Sequence, residues 1–159
     1  PEKYKNVWGD ALKAGYAKRD ASRPKMDIQA GGMLAIDESL TGEDQQKVLD
    51  FARPSTALYV GGMGARGKNF YNDICKAYGY EQEAVEIQDL YLDGKKQEAA
   101  AKIPADWLLN SHLVGPKNFV KERLAAFKEA GVTVISVNPI GPDAVQQVEL
   151  LRSLMDDVK

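Results

Sequence analysis

The sequence predicts an α/β class, mostly helical with about two parallel strands, and three observations carry that expectation. Val132-Thr-Val-Ile-Ser-Val137 is a near-continuous β-branched run set between Gly131 and the turn Asn138-Pro-Ile-Gly141, the pattern of a strand buried on both faces. A second apolar stretch, Met26 to Ile36, is interrupted by Gly31-Gly32, where missing side chains admit either a bulge or a neighbouring ligand. Almost everything else carries apolar residues at intervals of three and four, punctuated by glycine and proline.

Taken in order, residues 2–19 read as an amphipathic helix with Tyr4, Val7, Trp8, Ala11 and Leu12 on one face, stopped by Asp20-Ala-Ser-Arg-Pro24. After the first strand, Thr41 is placed as a helix N-cap, with Glu43 and Asp44 in the favourable first turn. Pro54 breaks or kinks that helix, and a short segment, Ser55 to Val60, leads into a glycine-rich run. Asn69 is expected to cap a helix through Tyr71, Ile74, Cys75 and Tyr78 that ends at Gly79. Three more short helices follow at 81–92, 94–103 and 104–109, with Gly94 and Pro104 as separators. Pro116 then opens a helix striped by Phe119, Val120, Leu124 and Phe127 and ended by Gly131. After the second strand, Pro142 opens a last helix with Val145, Val148, Leu151, Met155 and Val158 on its apolar face.

Composition restricts the function classes. The chain has 159 residues, 44% hydrophobic and 28% charged, with a net charge of −2. Such a balance is that of a globular chain and supplies no general field for nucleic acid or an anionic membrane. No apolar run is long enough to span a bilayer, so a soluble, cytoplasmic protein is expected. Cys75 is the only cysteine, which rules out an internal disulfide and suits a small packed hydrophobe. His112 is the only histidine; without clustered partners it is a poor metal ligand, expected to cap or pack near Leu113. No metal residue is therefore assigned.

The most unusual stretch runs from Thr56 to Asp73. Gly61, Gly62, Gly64 and Gly67 provide backbone able to take positive φ and to approach a ligand, and Arg66, Lys68 and Asn69 add polar groups that can hold an anion. A second reading stands beside it, a helix stop at Gly61 followed by a surface connection with solvated cations. The G-x-x-x-x-G-K-[ST] phosphate loop does not fit, since Asn69 follows Lys68. Asp143, at the start of the last helix, places a negative charge where an anion would otherwise be favoured, and Asn138 before Pro139 reads as a turn residue that could also touch a ligand.

The run Leu-Tyr-Val-Gly-Gly-Met-Gly-Ala-Arg-Gly-Lys-Asn-Phe-Tyr-Asn-Asp-Ile (58–74) resembles a segment of the luciferase-like monooxygenase superfamily, in its deazaflavin-dependent actinobacterial branch. Ala-Val-Glu-Ile-Gln-Asp-Leu-Tyr-Leu-Asp-Gly-Lys-Lys (84–96), Leu-Val-Gly-Pro (113–116) and Glu-Arg-Leu-Ala-Ala-Phe-Lys-Glu-Ala-Gly-Val-Thr (122–133) continue the resemblance in the same order. It implies a TIM (β/α)8 barrel oxidoreductase using coenzyme F420, or FMN in relatives. A complete barrel needs about 250 residues, so the resemblance implies the C-terminal fragment of one, beginning just after the sixth strand. Residues 1–159 would then form a single domain with a helical insertion at about 41–112, and the Gly31-Gly32 pair would face the coenzyme end.

Relatives of this kind take acid and base groups mainly from earlier strands, so no catalytic residue is assigned to this chain. Gly61, Gly62, Gly64, Arg66, Gly67, Lys68 and Asn69 are the expected substrate- or coenzyme-binding positions. Two function classes follow. The first is a fragment of an oxidoreductase that passes hydride between deazaflavin and an organic substrate, with no coenzyme expected on the chain alone. The second is a non-catalytic helical domain that self-assembles or acts as an adaptor. Expected partners are a second copy, as a homodimer or higher oligomer that is domain-swapped in one form, or the missing N-terminal barrel portion.

Overall fold

The computed structural model describes residues 1–158. In chain order the helices are α1 (Tyr4–Ala17), α2 (Gly42–Leu49), α3 (Arg53–Ala57), α4 (Phe70–Ala77), α5 (Glu81–Leu92), α6 (Lys96–Ala101), α7 (Ala105–Ser111), α8 (Lys117–Ala130) and α9 (Ala144–Asp157). The strands are β1 (Gln29–Ile36), β2 (Leu113–Gly115) and β3 (Val134–Pro139). A 3-10 turn, Asp50–Ala52, joins α2 to α3, and a π-helical turn, Leu58–Gly62, follows α3. The expected single domain of 1–159 with a helical stretch at about 41–112 stands beside two compact units, one of residues 1–45 and 110–159 and one of residues 46–109.

The first unit is built on a three-stranded sheet in the order β2-β1-β3. All pairing is parallel, with Leu34 opposite Leu113 on one side of β1 and Gln29 to Leu34 opposite Val134 to Pro139 on the other. Two strands were expected, and β2 is the addition. Three residues are too few to show a period, but Leu113 and Val114 are fully buried and their strand completes the pairing at the carboxyl end of β1. Close approach explains the glycine pair. A Cβ on Gly31, at φ +145°, would lie 1.9 Å from the Ser136 carbonyl oxygen, and one on Gly32 would lie 2.1 Å from the His112 ring.

Leu34, Ile36, Leu113, Val120, Leu124, Phe127, Leu151 and Leu154 form this unit's core, contributed by β1, β2, α8 and α9. Full burial of such a side chain stabilises by roughly 1.5 to 3 kcal/mol. Helix α8 ends where the sequence places its stop. Gly131 takes φ +98° and donates to the Lys128 and Phe127 carbonyls, while Val132 N–H reaches the Phe127 carbonyl at 3.0 Å, closing the turn as a left-handed cap. Two glutamines tie helices to strand ends. Gln147 of α9 accepts from Ile36 N–H and donates to its carbonyl, and Gln45 of α2 donates to the Val114 carbonyl.

β3 departs from expectation. Its β-branched run predicts burial on both faces, yet exposed and half-buried residues alternate along it and Val134 is 39% exposed. The cause is its place at the sheet edge, where α8 and α9 pack over one face only. Helix α1 forms over the predicted span but buries none of its residues.

The second unit is wholly helical. Its interior is Leu49, Ala57, Val60, Cys75, Ile87 and Leu108 with alanines from α5 and α6. Arg53, placed by the Pro54 break, fastens the end of α6: its guanidinium donates to the carbonyls of Ala100, Ala101 and Ile103 and pairs with Asp50. Ala100 and Ala101 close α6, where a helix leaves carbonyls without intrahelical partners, and Ile103 lies just past its end.

Candidate functional site

The glycine-rich run lies inside the helical unit, and its backbone is set by two buried amides. Wide π-helical geometry changes the usual i to i−4 pairing, and the Tyr59 and Val60 carbonyls both receive Asn69 Nδ2, at 3.0 and 2.9 Å. Asn72 Nδ2 adds a bond to Val60 at 3.1 Å and one to Ala84 of α5 at 2.6 Å. Meanwhile Asn69 Oδ1 accepts from the N–H groups of Tyr71 and Asn72, the helix cap its sequence position predicts. Asn69 is 1% exposed, so its side chain spends every donor and acceptor within the protein and serves as scaffold for the run.

The glycines divide by physical cause. A Cβ on Gly61 would come 2.5 Å from Tyr91 Cβ, and one on Gly62 would come 2.4 Å from the Tyr91 ring; these two let the π turn lie against α5. Gly64 has no room either, with the Lys68 carbonyl oxygen 2.3 Å from a Cβ, and its own carbonyl accepts from buried Gln88. Gly67 takes φ +70° in open space, a conformation costly for other residues. Gly62, Gly64 and Gly67 do carry G-x-G-x-x-G spacing. Because a π turn and not a strand precedes them, the strand-to-helix crossover of a dinucleotide fold is not formed.

The two cations are in different states. Arg66 Nε pairs with Asp89 at 2.6 Å, and its other arm lies 3.9 Å from Asp93; the hydrogen bond to Asp89 raises its pKa. Lys68 is exposed; its main-chain N–H donates to the Ala65 carbonyl at 2.9 Å, and its ammonium has no hydrogen bond or ion pair among the described residues. Close to the run lie exposed aromatic side chains, Tyr59, Tyr71 and Phe70, in successive edge-to-face contact at 4.8 and 5.6 Å. Sequence reasoning did not single out this patch. Its residues recur at no regular interval, and only the N-cap at Asn69 sets Tyr71 against Tyr59.

Elsewhere the titratable groups look inward. His112 Nδ1 accepts the Met33 N–H at 3.2 Å, so Nε2 carries the ring proton, and burial lowers the pKa. Packing near Leu113 was the expectation; the structure adds the backbone partner. Cys75 is 1% exposed with its thiol pushed up to about 12 by burial, Glu83 adding to the effect, so it is no nucleophile at neutral pH. Tyr80 donates to Asp106 at 2.7 Å and titrates above its usual range, through burial first and that bond second. Among the described residues no three His, Cys, Asp or Glu side chains gather into a metal site, and no helix is long and apolar enough to cross a membrane.

Comparison with known proteins adds the family. A coenzyme F420-dependent oxidoreductase, so named, from Mycobacterium tuberculosis is 30% identical over 145 residues, covering 91% of this chain and 41% of that protein. The chain thus spans about two fifths of the length of this curated relative. No solved structure matches it. The profile of the luciferase-like monooxygenases matches residues 1–134, most of the chain, and the protein belongs to that family.

Proposed function

We propose that this chain is the C-terminal portion of a luciferase-like (β/α)8-barrel oxidoreductase in which hydride passes between coenzyme F420 and an organic substrate, FMN being the alternative coenzyme. The observation that carries the reading is the 30% identity, over nearly the whole chain, to a protein named as F420-dependent. Parallel pairing throughout the sheet, with α8 leading from β2 into β3, supports the α/β class of such a barrel, while the order β2-β1-β3 puts β1 rather than β2 beside β3.

Within the parent, the ligand-facing segment is the run Gly61, Gly62, Gly64, Arg66, Gly67, Lys68 and Asn69. Lys68 offers its ammonium to a polar or anionic group of substrate or coenzyme. Arg66, tied to Asp89, holds the turn and lends partial charge, and Asn69 fixes the backbone beneath. These residues suit one such contact. They do not by themselves make a deazaflavin ring site, since among the described residues the run presents a single free cation, and this reading assigns the ring-binding and proton-transfer groups to the rest of the parent. The coenzyme supplies the hydride chemistry; the protein positions and excludes water.

The test is a fluorescence titration with F420. The isolated chain is expected to show no micromolar affinity and no turnover, whereas the parent binds and turns over. Tight binding by the isolated chain would reject the assignment of the ring site elsewhere. A second reading, a non-catalytic self-assembling or adaptor domain, is favoured by the open outer edge of β3 and by exposed Phe51 and Phe70. It predicts that the parent gains nothing in turnover from this portion.

A further inference from the structure

A cavity of about 190 Å³ opens between α8, β3 and α9, lined by Leu124, Lys128, Val132, Thr133, Ile135, Met155 and Val158. It lies entirely within the sheet-bearing unit. Five of its seven lining residues are aliphatic or Met, the others being Lys128 and Thr133. The space is half open to solvent, and its volume is close to the roughly 150 Å³ that holds one benzene ring, so it suits a single small ring or a short branched chain. Drug-sized ligands need roughly 300 Å³ or more.

The polar groups at its wall select the ligand's charge. Thr133 Oγ1 accepts from the Ile28 N–H and donates to Asp27, leaving no proton for a guest. Lys128 is different. Its ammonium donates to the Val158 main-chain carbonyl at 2.9 Å and meets no carboxylate among the described residues, although Lys121 of the same helix pairs with Asp157. Exchanging a neutral carbonyl for a carboxylate would convert this bond into a stronger charge-assisted one, without requiring the cation to enter the apolar space.

We propose that this cavity binds a small apolar monocarboxylate, its ring or branched tail among Leu124, Val132, Ile135 and Met155 and its carboxylate on Lys128. A fully polar anion has nothing to pair with along the aliphatic walls. A neutral hydrocarbon fills the space but gains nothing from the ammonium.

Titration of the full chain with benzoate, benzene and acetate, followed through the Met155 methyl resonance, tests this. Benzoate is expected to shift that methyl and to bind at least about tenfold more tightly than either comparator, a difference of about 1.4 kcal/mol. In Lys128→Met the advantage of benzoate over benzene should disappear while benzene still binds, and Lys128→Arg should restore it. Lys128 is exposed, so the variants are expected to fold, and retained benzene binding verifies that the cavity is intact. Benzoate shifts that bypass Met155, acetate binding as tight as benzoate, equal affinity for benzoate and benzene, or an unchanged benzoate affinity in Lys128→Met would each overturn the proposal.

Discussion

His112 Nδ1 receives the main-chain N–H of Met33 at 3.2 Å, the two residues lying 79 positions apart, and the ring fills the space left by the missing side chain of Gly32. A protonated imidazole has no acceptor at Nδ1, so the fold prefers the neutral form, in agreement with a pKa that burial lowers from 6.5. The sign follows directly. Stability from this contact is fully present above the unfolded-state pKa and declines as pH falls below about 6.5 towards the lowered folded value. Urea unfolding midpoints should fall over that window in the wild-type chain and change less in His112→Gln. Equal pH slopes would show that His112 is not the responsible group.

Asn72 donates to the Val60 and Ala84 carbonyls from a buried position. Asn72→Leu removes both bonds while the Val60 carbonyl keeps the one from Asn69, so a loss of about 1 to 3 kcal/mol is expected from two hydrogen bonds at roughly 0.5 to 1.5 each. Asn69→Asp separates the two roles of its neighbour: the carboxylate still caps α4, while the donor to Tyr59 and Val60 is gone. Denaturant unfolding should show Asn69→Asp to be destabilised although the cap survives. A variant as stable as wild type would mean the cap alone matters.

Much of this could be read from the residues. Asn69 was legible as a cap and Gly131 as a stop because both depend on local backbone chemistry. β2 was not, because a three-residue strand exists only through Leu34 to Ile36 beside it. Nor was the exposure of β3, since a β-branched run records its preference for a sheet and not how many neighbours cover it. The glycine run was conspicuous from the start, but its meaning depended on distant residues. Tyr91 explains Gly61 and Gly62, and Asp89 occupies Arg66; neither partner is predictable by spacing.

That dependence makes the Gly62–Tyr91 contact measurable. Gly62→Ala places a methyl against the Tyr91 ring and should cost about 1 to 3 kcal/mol as an overpacked site. Tyr91→Ala removes the obstruction, so the double variant should be more stable than the sum of the single losses predicts. Additive losses in a thermal or urea double-mutant cycle would show that the glycine is there for another reason.

Lys68 and Arg66 should separate in the full-length parent. Lys68→Ala is expected to lower kcat/KM with little change in stability, because an exposed cation without a partner contributes little to the fold. Arg66→Ala should disturb the turn by freeing Asp89, and the double replacement should weaken substrate use more than it weakens folding. Steady-state kinetics beside urea melts distinguish these effects. An unchanged kcat/KM in the double variant would leave the run a structural connection.

Self-association of the isolated chain is the final expectation, and the geometry of β3 supplies its reason. β1 is flanked by β2 and β3, whereas among the described residues β3 pairs on one side only, which leaves outward main-chain donors and acceptors available to another strand. Val134 on that strand is 39% exposed, and α9 leaves Val145 and Val148 at 70% and 44%. Covering such side chains is worth up to roughly 1.5 to 3 kcal/mol each when burial is complete. Closure by symmetric pairing of two copies, or exchange of an element between them, satisfies both the edge and the apolar surface. Lys at position 134 would place a charge where the second strand must pack and should shift the equilibrium towards monomer without opening the core. Sedimentation equilibrium over a wide concentration range checks this for wild type and Val134→Lys. A wild-type chain that remains at 17.5 kDa at high micromolar concentration would show that the exposed edge alone does not recruit a second copy.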